Sequence, residues 1–233
     1  MLMEIPAIIH QTWKNAAIPE EFAASVNSWK NLHPDWKYSL WTDDMNVGFL
    51  ESYFPDFLDI YRSYPSHIQR VDAVRYFILY QFGGIYVDLD FYCFKHISPI
   101  LENCHCAFGL EHALHSAIHH KKMIISNAFM ACKAKSEFMK LICEELYHPS
   151  VATFKDKNDM ILETTGPFML TRVYEQHQHD ETLKVKIIEP EFLYPLTKDE
   201  INKELLADIE KNVVAENLKD AYGLHYYWGS WWG

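Results

Sequence analysis

The sequence predicts an α/β fold, on three observations. Its opening alternates a strand pattern, a helix pattern and a second strand pattern, an order that favours a parallel sheet. A long helical pattern, HIQRVDAVRYFILYQF, stops at Gly83-Gly84 and runs directly into the alternating apolar stretch GGIYVDLDFY. The 233 residues are 49% hydrophobic and carry no biased tract, enough for one sizeable core and cramped for two. The expectation is a single domain, 1–233, with helical excursions near 46–82 and 198–219.

Each element follows from local pattern. AIIHQTW is a short apolar run and gives a buried strand over 8–11. PEEFAASVNSWKNLHP opens with Pro and two acids, closes at Pro34, and spaces Phe22, Val26 and Trp29 for one helical face. WKYSLWTD alternates again, a strand ending at Asp43-Asp44. Residues 46–66 are helical in pattern and broken by Pro55 and Pro65. The helix over 67–82 ends where Gly83 permits a left-handed cap. Beyond a helical turn near Pro99, CAFGLE and ISNAFMAC read as strands, SEFMKLICEELYH as a helix, and TTGPFMLTRVYEQH as a helix with Pro167 in its first turn. KVKIIEP reads as an edge strand, residues 198–219 as surface helix, and the tail AYGLHYYWGSWWG is too aromatic for an ordinary loose end.

Composition excludes several classes. A formal charge of -11 repels polyanions and argues against a nucleic-acid partner. No window approaches the roughly 18 apolar residues that a spanning helix needs. Five cysteines without framework spacing read as free thiols of a reducing compartment. Cys104-His105-Cys106, near His112, His115, His119 and His120, admits a metal reading, but without C-x-x-C spacing a buried thiol pair beside an exposed His-rich loop is the expectation.

Chemistry concentrates elsewhere. Period-two alternation sends Ile85, Val87 and Leu89 to one face of a strand and Tyr86, Asp88 and Asp90 to the other, so both carboxylates emerge together. Like charges that close repel unless a cation sits between them, and a divalent ion with oxygen ligands meets that need. A solvated strand end would account for the same pattern. Asp72 and Arg75, three apart on the preceding helix, share a face that can meet that strand end, or form a surface ion pair. Arg70 lies off that face and reads as a solvated charge. The tail offers His225 as an imidazole ligand, with Ser230, Trp231 and Trp232 as donors for a diphosphate, or simply an aromatic cover for the core. Gln11, Thr12 and Trp13 follow the first strand with an amide, a hydroxyl and a flat ring for a nucleobase, although Trp13 would equally serve as core.

IPAIIHQTWK, LWTD, RVDAVRYFILYQFGGIYVDLD, SNAFMA, TGPFMLT and HYYWGSWW together resemble, in order, the blocks of the DXD-containing sugar transferases. These include the initiating α-1,6-mannosyltransferases, the inositol-phosphorylceramide mannosyltransferases and the α-1,4-galactosyltransferases, and more distantly the clostridial glucosylating toxins. The resemblance implies a GT-A fold, a Rossmann-like mixed sheet flanked by helices that binds a nucleotide-sugar at the strand ends. It implies a metal-dependent, retaining hexosyltransferase using Mn2+ or Mg2+, a UDP- or GDP-sugar donor and a glycan or glycolipid acceptor. Carried over, Asp88 faces the ribose and the metal's water shell, and Asp90 and His225 ligate the metal. Asp72 and Arg75 hold the donor sugar and its phosphate, Gln11, Thr12 and Trp13 cradle the base, Asn127 reaches the sugar or acceptor, and Ser230 and Trp231 hold the diphosphate. The toxin-like relatives carry Asn where the tail ligand lies, so His225 departs from their pattern.

Two other readings compete. Aspartyl-phosphate phosphatases also use D-x-D, but place Thr or Val two residues after the second Asp and set the motif on the first strand; here Phe91-Tyr92 follows a later strand. A catalytically weak nucleotide-sugar or carbohydrate-binding module of the same fold is the other. Because the family's eukaryotic members carry an N-terminal anchor and this sequence starts near its first strand, a cytoplasmic enzyme is expected, with peripheral membrane contact through exposed aromatics.

Overall fold

The structure, a computed structural model, describes residues 4–149, 153–201, 203–210 and 218–228. Among these residues eight strands are seen: β1 Ile8–Thr12, β2 Lys37–Trp41, β3 Gly84–Val87, β4 Phe91–Cys93, β5 Cys106–Leu110, β6 Ile125–Cys132, β7 Val185–Ile188 and β8 Gly223–His225. Between them run α1 Ala23–Leu32, α2 Asp43–Tyr53, α3 Leu58–Ser63, α4 His67–Phe82, α5 Ala113–Ile118, α6 Glu137–Tyr147, α7 Lys157–Thr164, α8 Pro167–His177, α9 Pro190–Leu193 and α10 Lys203–Glu210. Six strands form one sheet in the order β2-β1-β3-β6-β5-β7, and β4 and β8 form a separate antiparallel ribbon.

Within the sheet, β1 is parallel to β2 and β3, β6 is antiparallel to β3 and β5, and β7 is parallel to β5. Only β6 therefore runs against the rest. Alternate residues feed two cores: Tyr86, Cys106, Phe108, Met130 and Cys132 pack with α4, α6 and α8, while Ile85, Val87, Ala107, Phe129 and Ala131 pack with Trp29 of α1 and Leu193 of α9. Trp29 is fully buried and donates its indole N–H to the Phe91 carbonyl (2.7 Å), tying α1 to β4.

Several expectations are corrected. The second strand stops at Trp41, because Thr42 accepts the Met45 N–H and starts α2, with Asp43 and Asp44 in its first turn. The alternating stretch is not one strand: β3 ends at Val87, the Phe91 N–H bonds the Asp88 carbonyl (3.2 Å), and the chain turns off the sheet through Leu89-Asp90. Gly83 ends α4 at positive φ, but its ψ of -164° is extended, outside the left-handed helical region. A Cβ there would sit 2.5 Å from the Ala134 nitrogen and 2.8 Å from Pro6 Cδ, so the position is closed to any other residue. Helix α7 has no counterpart in the sequence reading. Arg70 is half-buried and donates to the Tyr64 carbonyl (2.9 Å). The His-rich stretch contains α5 and turns the His115 side chain inward, 15% exposed. All five cysteines are free and buried.

Two buried histidines act as neutral braces, His10 within the sheet and His33 at the end of α1. His10 accepts the Trp41 indole N–H on Nδ1 (3.0 Å), so its Nε2 carries the proton given to the Gly83 carbonyl (3.0 Å). His33 accepts the Ile97 N–H on Nε2 and donates from Nδ1 to the Trp29 carbonyl. Burial lowers each to about 4. Since the unfolded ring titrates near 6.5, each contributes stability that is complete above pH 6.5 and lost as pH falls through 4, roughly 3 kcal/mol. The difference in urea-unfolding free energy between wild type and His10→Gln, which cancels the carboxylates' linkage, is expected to shrink by that amount from pH 7.5 to 4. A difference independent of pH would refute the assignment.

Candidate active site

The topology gathers functional groups at one sheet edge. β1, β3 and β5 end there, delivering Trp13, Asp88 and Glu111 just beyond their last residues, and β6, running oppositely, begins there with Ser126 and Asn127. Carboxyl ends of parallel strands leave a crevice that no strand continues into. Here it is a cleft of about 1010 Å³ whose walls include Thr12, Trp13, Asp72, Arg75, Asp88, Asp90, Asn127 and His225.

Helix α4 supplies the first pair. Its start is fixed by a capping box between Ser66 and Gln69, and Gln69 reaches on to Thr164 (2.8 Å) at the end of α7. One turn later Arg75 bonds Asp72 (3.0 Å) and Asp88 (3.3 Å), donates to the Asn127 carbonyl (3.0 Å), and lies 4.5 Å over the Tyr86 ring. The pair is no surface bridge, with Arg75 3% and Asp72 5% exposed. Burial works against the Arg75 charge, but Tyr86, Asp88 and Asp72 around it hold it protonated. Burial raises Asp72 to about 7 against the pull of Arg75, Asn127 (3.1 Å) and Thr165.

The turn after β3 and the strand β8 supply the second group. Asp88, Asp90 and His225 each bring one ligand atom to within 4.8 Å of the others, the only such cluster among the described residues. β8 makes this possible by pairing Phe91 with His225. Asp90 lies 3.2 Å from His225 and accepts the Trp228 N–H (3.0 Å). Burial raises Asp88, with Arg75 opposing and the charge of Asp90 adding to the rise. Burial would raise Asp90 too, but His225 holds it below the usual range, and Asp90 in turn raises His225 over the contrary effect of its own burial. His225 Nδ1 is buried without a hydrogen-bond partner among the described residues. Two carboxylates and an imidazole, so compressed, suit a hard or borderline divalent cation, which would take the place of the imidazole proton.

The first-strand residues divide. Trp13 is half-buried in the cleft wall, edge-on to Phe22 at 5.3 Å, its indole N–H without a partner among the described residues. Thr12 donates to the Tyr86 hydroxyl (2.8 Å), which donates to Asp88 (2.8 Å), so it acts through Tyr86 on the Asp88, Asp90 and His225 cluster. Gln11 is fully buried, donates to the Asp88 carbonyl (3.3 Å) and accepts from Tyr38 (2.7 Å). It braces the turn from beneath and does not line the cleft. Ser230 and Trp231, together with Trp232, lie outside the described residues.

Sequence reasoning missed Thr165, Glu111 and Tyr227. Thr165 follows a helix too short to show clear periodicity, and Glu111 was read only as the end of a strand. Its signal was place: an acid directly after a core strand at the edge where the D-x-D also emerges.

The family model described as "Glycosyltransferase sugar-binding region containing DXD motif" matches residues 19–106. The chain is 52% identical over 97 residues to inositol phosphoceramide mannosyltransferase 3 of Schizosaccharomyces pombe, covering 42% of this chain and 27% of that one. It is 35% identical over 191 residues to a mannosyl phosphorylinositol ceramide synthase of Saccharomyces cerevisiae, covering 81% and 47%. The chain thus spans a quarter to about half the length of these relatives. Among solved structures, the PaToxG glycosyltransferase aligns with a TM-score of 0.51 at 19% identity over 77% of this chain and 73% of that one. That likeness shows the fold: the mixed sheet flanked by helices is the GT-A fold.

Proposed function

We propose that this chain, whose residues 19–106 match the family model of glycosyltransferases with a DXD-containing sugar-binding region, transfers a hexose from a UDP- or GDP-sugar to a glycan or glycolipid acceptor. The observation that carries this reading is the cluster of Asp88, Asp90 and His225 at the floor of the cleft, beside the buried Asp72–Arg75 pair. Asp90 and His225 would hold Mn2+ or Mg2+ directly, with Asp88 serving the ion's water shell and the ribose. The chemistry such an ion supplies is neutralisation of the charge that develops on a diphosphate leaving group.

The protein's own groups do the rest. Arg75, held charged, gives a fixed positive field at the same point, Asp72 and Asn127 present oxygen and amide to the donor sugar, and Trp13 offers its ring to the base. Retention is part of the proposal through the family resemblance, and its route follows from the engagement of every described cleft carboxylate: Asp72 and Asp88 by Arg75, Asp90 by His225, Glu111 by His115. None is free to act as a covalent nucleophile, which favours attack on the leaving-group face. A mannosyl donor is the first candidate, since the relatives are named as mannosyltransferases. We place the chain in the cytoplasm with peripheral membrane contact. Among the described residues, Leu114, Ile118 and Trp228 are the large apolar side chains exposed beside the cleft, which supports that contact.

A thermal-shift panel tests the reading. At a hundred times its Kd the correct donor, with Mn2+, is expected to raise the melting midpoint by roughly 5–10 °C, and chelator should abolish most of that rise. A donor that binds and stabilises but is never turned over would favour the binding-module alternative. No shift with any UDP- or GDP-sugar would sink both.

A further inference from the structure

The cleft holds one carboxylate that neither the cation cluster nor Arg75 engages. Glu111 follows β5, its N–H bonded to the Ile124 carbonyl (2.9 Å), and its carboxylate meets His115 Nδ1 at 3.2 Å, both side chains 15% exposed in the cleft wall. His115 stands edge-on to Tyr227 with ring centroids 4.9 Å apart, and Tyr227 lies 4.4 Å from His225. These contacts run unbroken from Glu111 to the metal cluster. Tyr227 adds two independent marks. Its backbone sits at φ 52°, a conformation that costs a residue with a side chain energy and persists only where the surroundings impose it. Its hydroxyl is buried without a partner among the described residues, although a buried hydroxyl normally finds one.

We propose that Glu111 and Tyr227, with His115 orienting the carboxylate, form the subsite for the acceptor's hydroxyl groups. This rests on the glycosyltransferase reading and deepens it. The nucleophilic hydroxyl has to approach within about 3–3.5 Å of the reacting carbon, so its holder must border the leaving-group cluster, as Tyr227 does through His225. A carboxylate with two oxygens accepts from two neighbouring hydroxyls, and a phenol both donates and accepts. The matching ligand is a polyol of the sugar or cyclitol class with adjacent hydroxyls. In the step itself the acceptor oxygen bonds to the sugar's anomeric carbon as the bond to the diphosphate breaks. The bond's electron pair leaves with the diphosphate, whose oxygen takes the acceptor's proton.

Two measurements on the full chain test this, with methyl α-mannoside and myo-inositol as acceptor probes. The first is saturation-transfer NMR in the presence of Mn2+ and nucleoside diphosphate, which needs no turnover. Wild type is expected to bind at least one probe, and Glu111→Gln and Tyr227→Phe to weaken it by roughly tenfold. The second is the ratio of transfer to hydrolysis of the donor, expected to fall by a similar factor in both variants. The melting midpoint of each variant monitors folding, and Tyr227→Phe, which removes a single oxygen, serves where Glu111→Gln is unstable. A rise in donor KM with the ratio unchanged would assign Glu111 to the donor and overturn the proposal. So would wild type binding neither probe while binding and hydrolysing a donor; failure to bind any donor would instead overturn the parent reading.

Discussion

Asp90→Asn is expected to lower cation-dependent transfer by at least about a hundredfold, the scale seen when one group stabilising developing charge is removed. The substitution keeps the shape of the side chain and an oxygen for the Trp228 N–H, which lies 3.0 Å from Asp90 Oδ2. What it removes is the charge facing His225 at 3.2 Å. Without that charge the imidazole loses the partner that keeps it protonated, and a cation loses a ligand of the cluster. Stability should fall by only about 1–3 kcal/mol, the cost of a weakened buried hydrogen bond. The two effects therefore separate: unfolding by urea shows a folded protein, and activity measured against Mn2+ concentration shows one that no longer responds to metal. Activity that survives in Asp90→Asn and in wild type with chelator would remove the cation from the mechanism.

How much of this was legible in the sequence depends on the range of the interaction. Asp72 and Arg75 were readable because a helix fixes the geometry of residues three apart, and the strand after Gly83-Gly84 because period two is local. Asp88 and Asp90 were rightly brought together but for an incomplete reason. Continuous alternation would carry both on one strand, whereas the chain turns after Val87 and Asp90 is held by the Trp228 N–H, 138 residues away in sequence. The ribbon of β4 with β8 is a tertiary pairing that three-residue strands cannot announce. Gln11 illustrates the opposite error. An amide after a first strand suggests a ligand contact, yet burial between Tyr38 and the Asp88 carbonyl makes it a brace. Thr165 was hidden because its partner Asp72 is 93 residues away, and Glu111 because its local pair with His115 acquires a place in the cleft only through the long-range contact of His115 with Tyr227.

Arg75→Met should be the most damaging single change in the site, costing about 3–5 kcal/mol of stability and all detectable transfer. The guanidinium is the one described cation between Asp72 and Asp88, at 3.0 and 3.3 Å, and it also satisfies the Asn127 carbonyl. Methionine fills much of the volume against Tyr86 but leaves the buried Asp72 and the partly buried Asp88 without a cation between them, held only by the neutral donors Asn127, Thr165 and Tyr86. Those carboxylates can escape by taking up protons, so the cost is expected to depend on pH. Burial already raises Asp72 to about 7 with Arg75 present, and its loss raises the carboxyl further. A native pKa above the unfolded value near 3.9 means that the native state binds more protons, so stability declines as pH rises through the native pKa. The penalty of Arg75→Met relative to wild type should therefore be larger at pH 8 than at pH 6. Adding Asp72→Asn should recover part of it at both values and more at pH 8 than at pH 6, because the unfolded carboxyl is already ionised at pH 6, with no recovery of transfer at either. An equal penalty at both values, untouched by the second substitution, would mean that Arg75 acts through packing against Tyr86 alone.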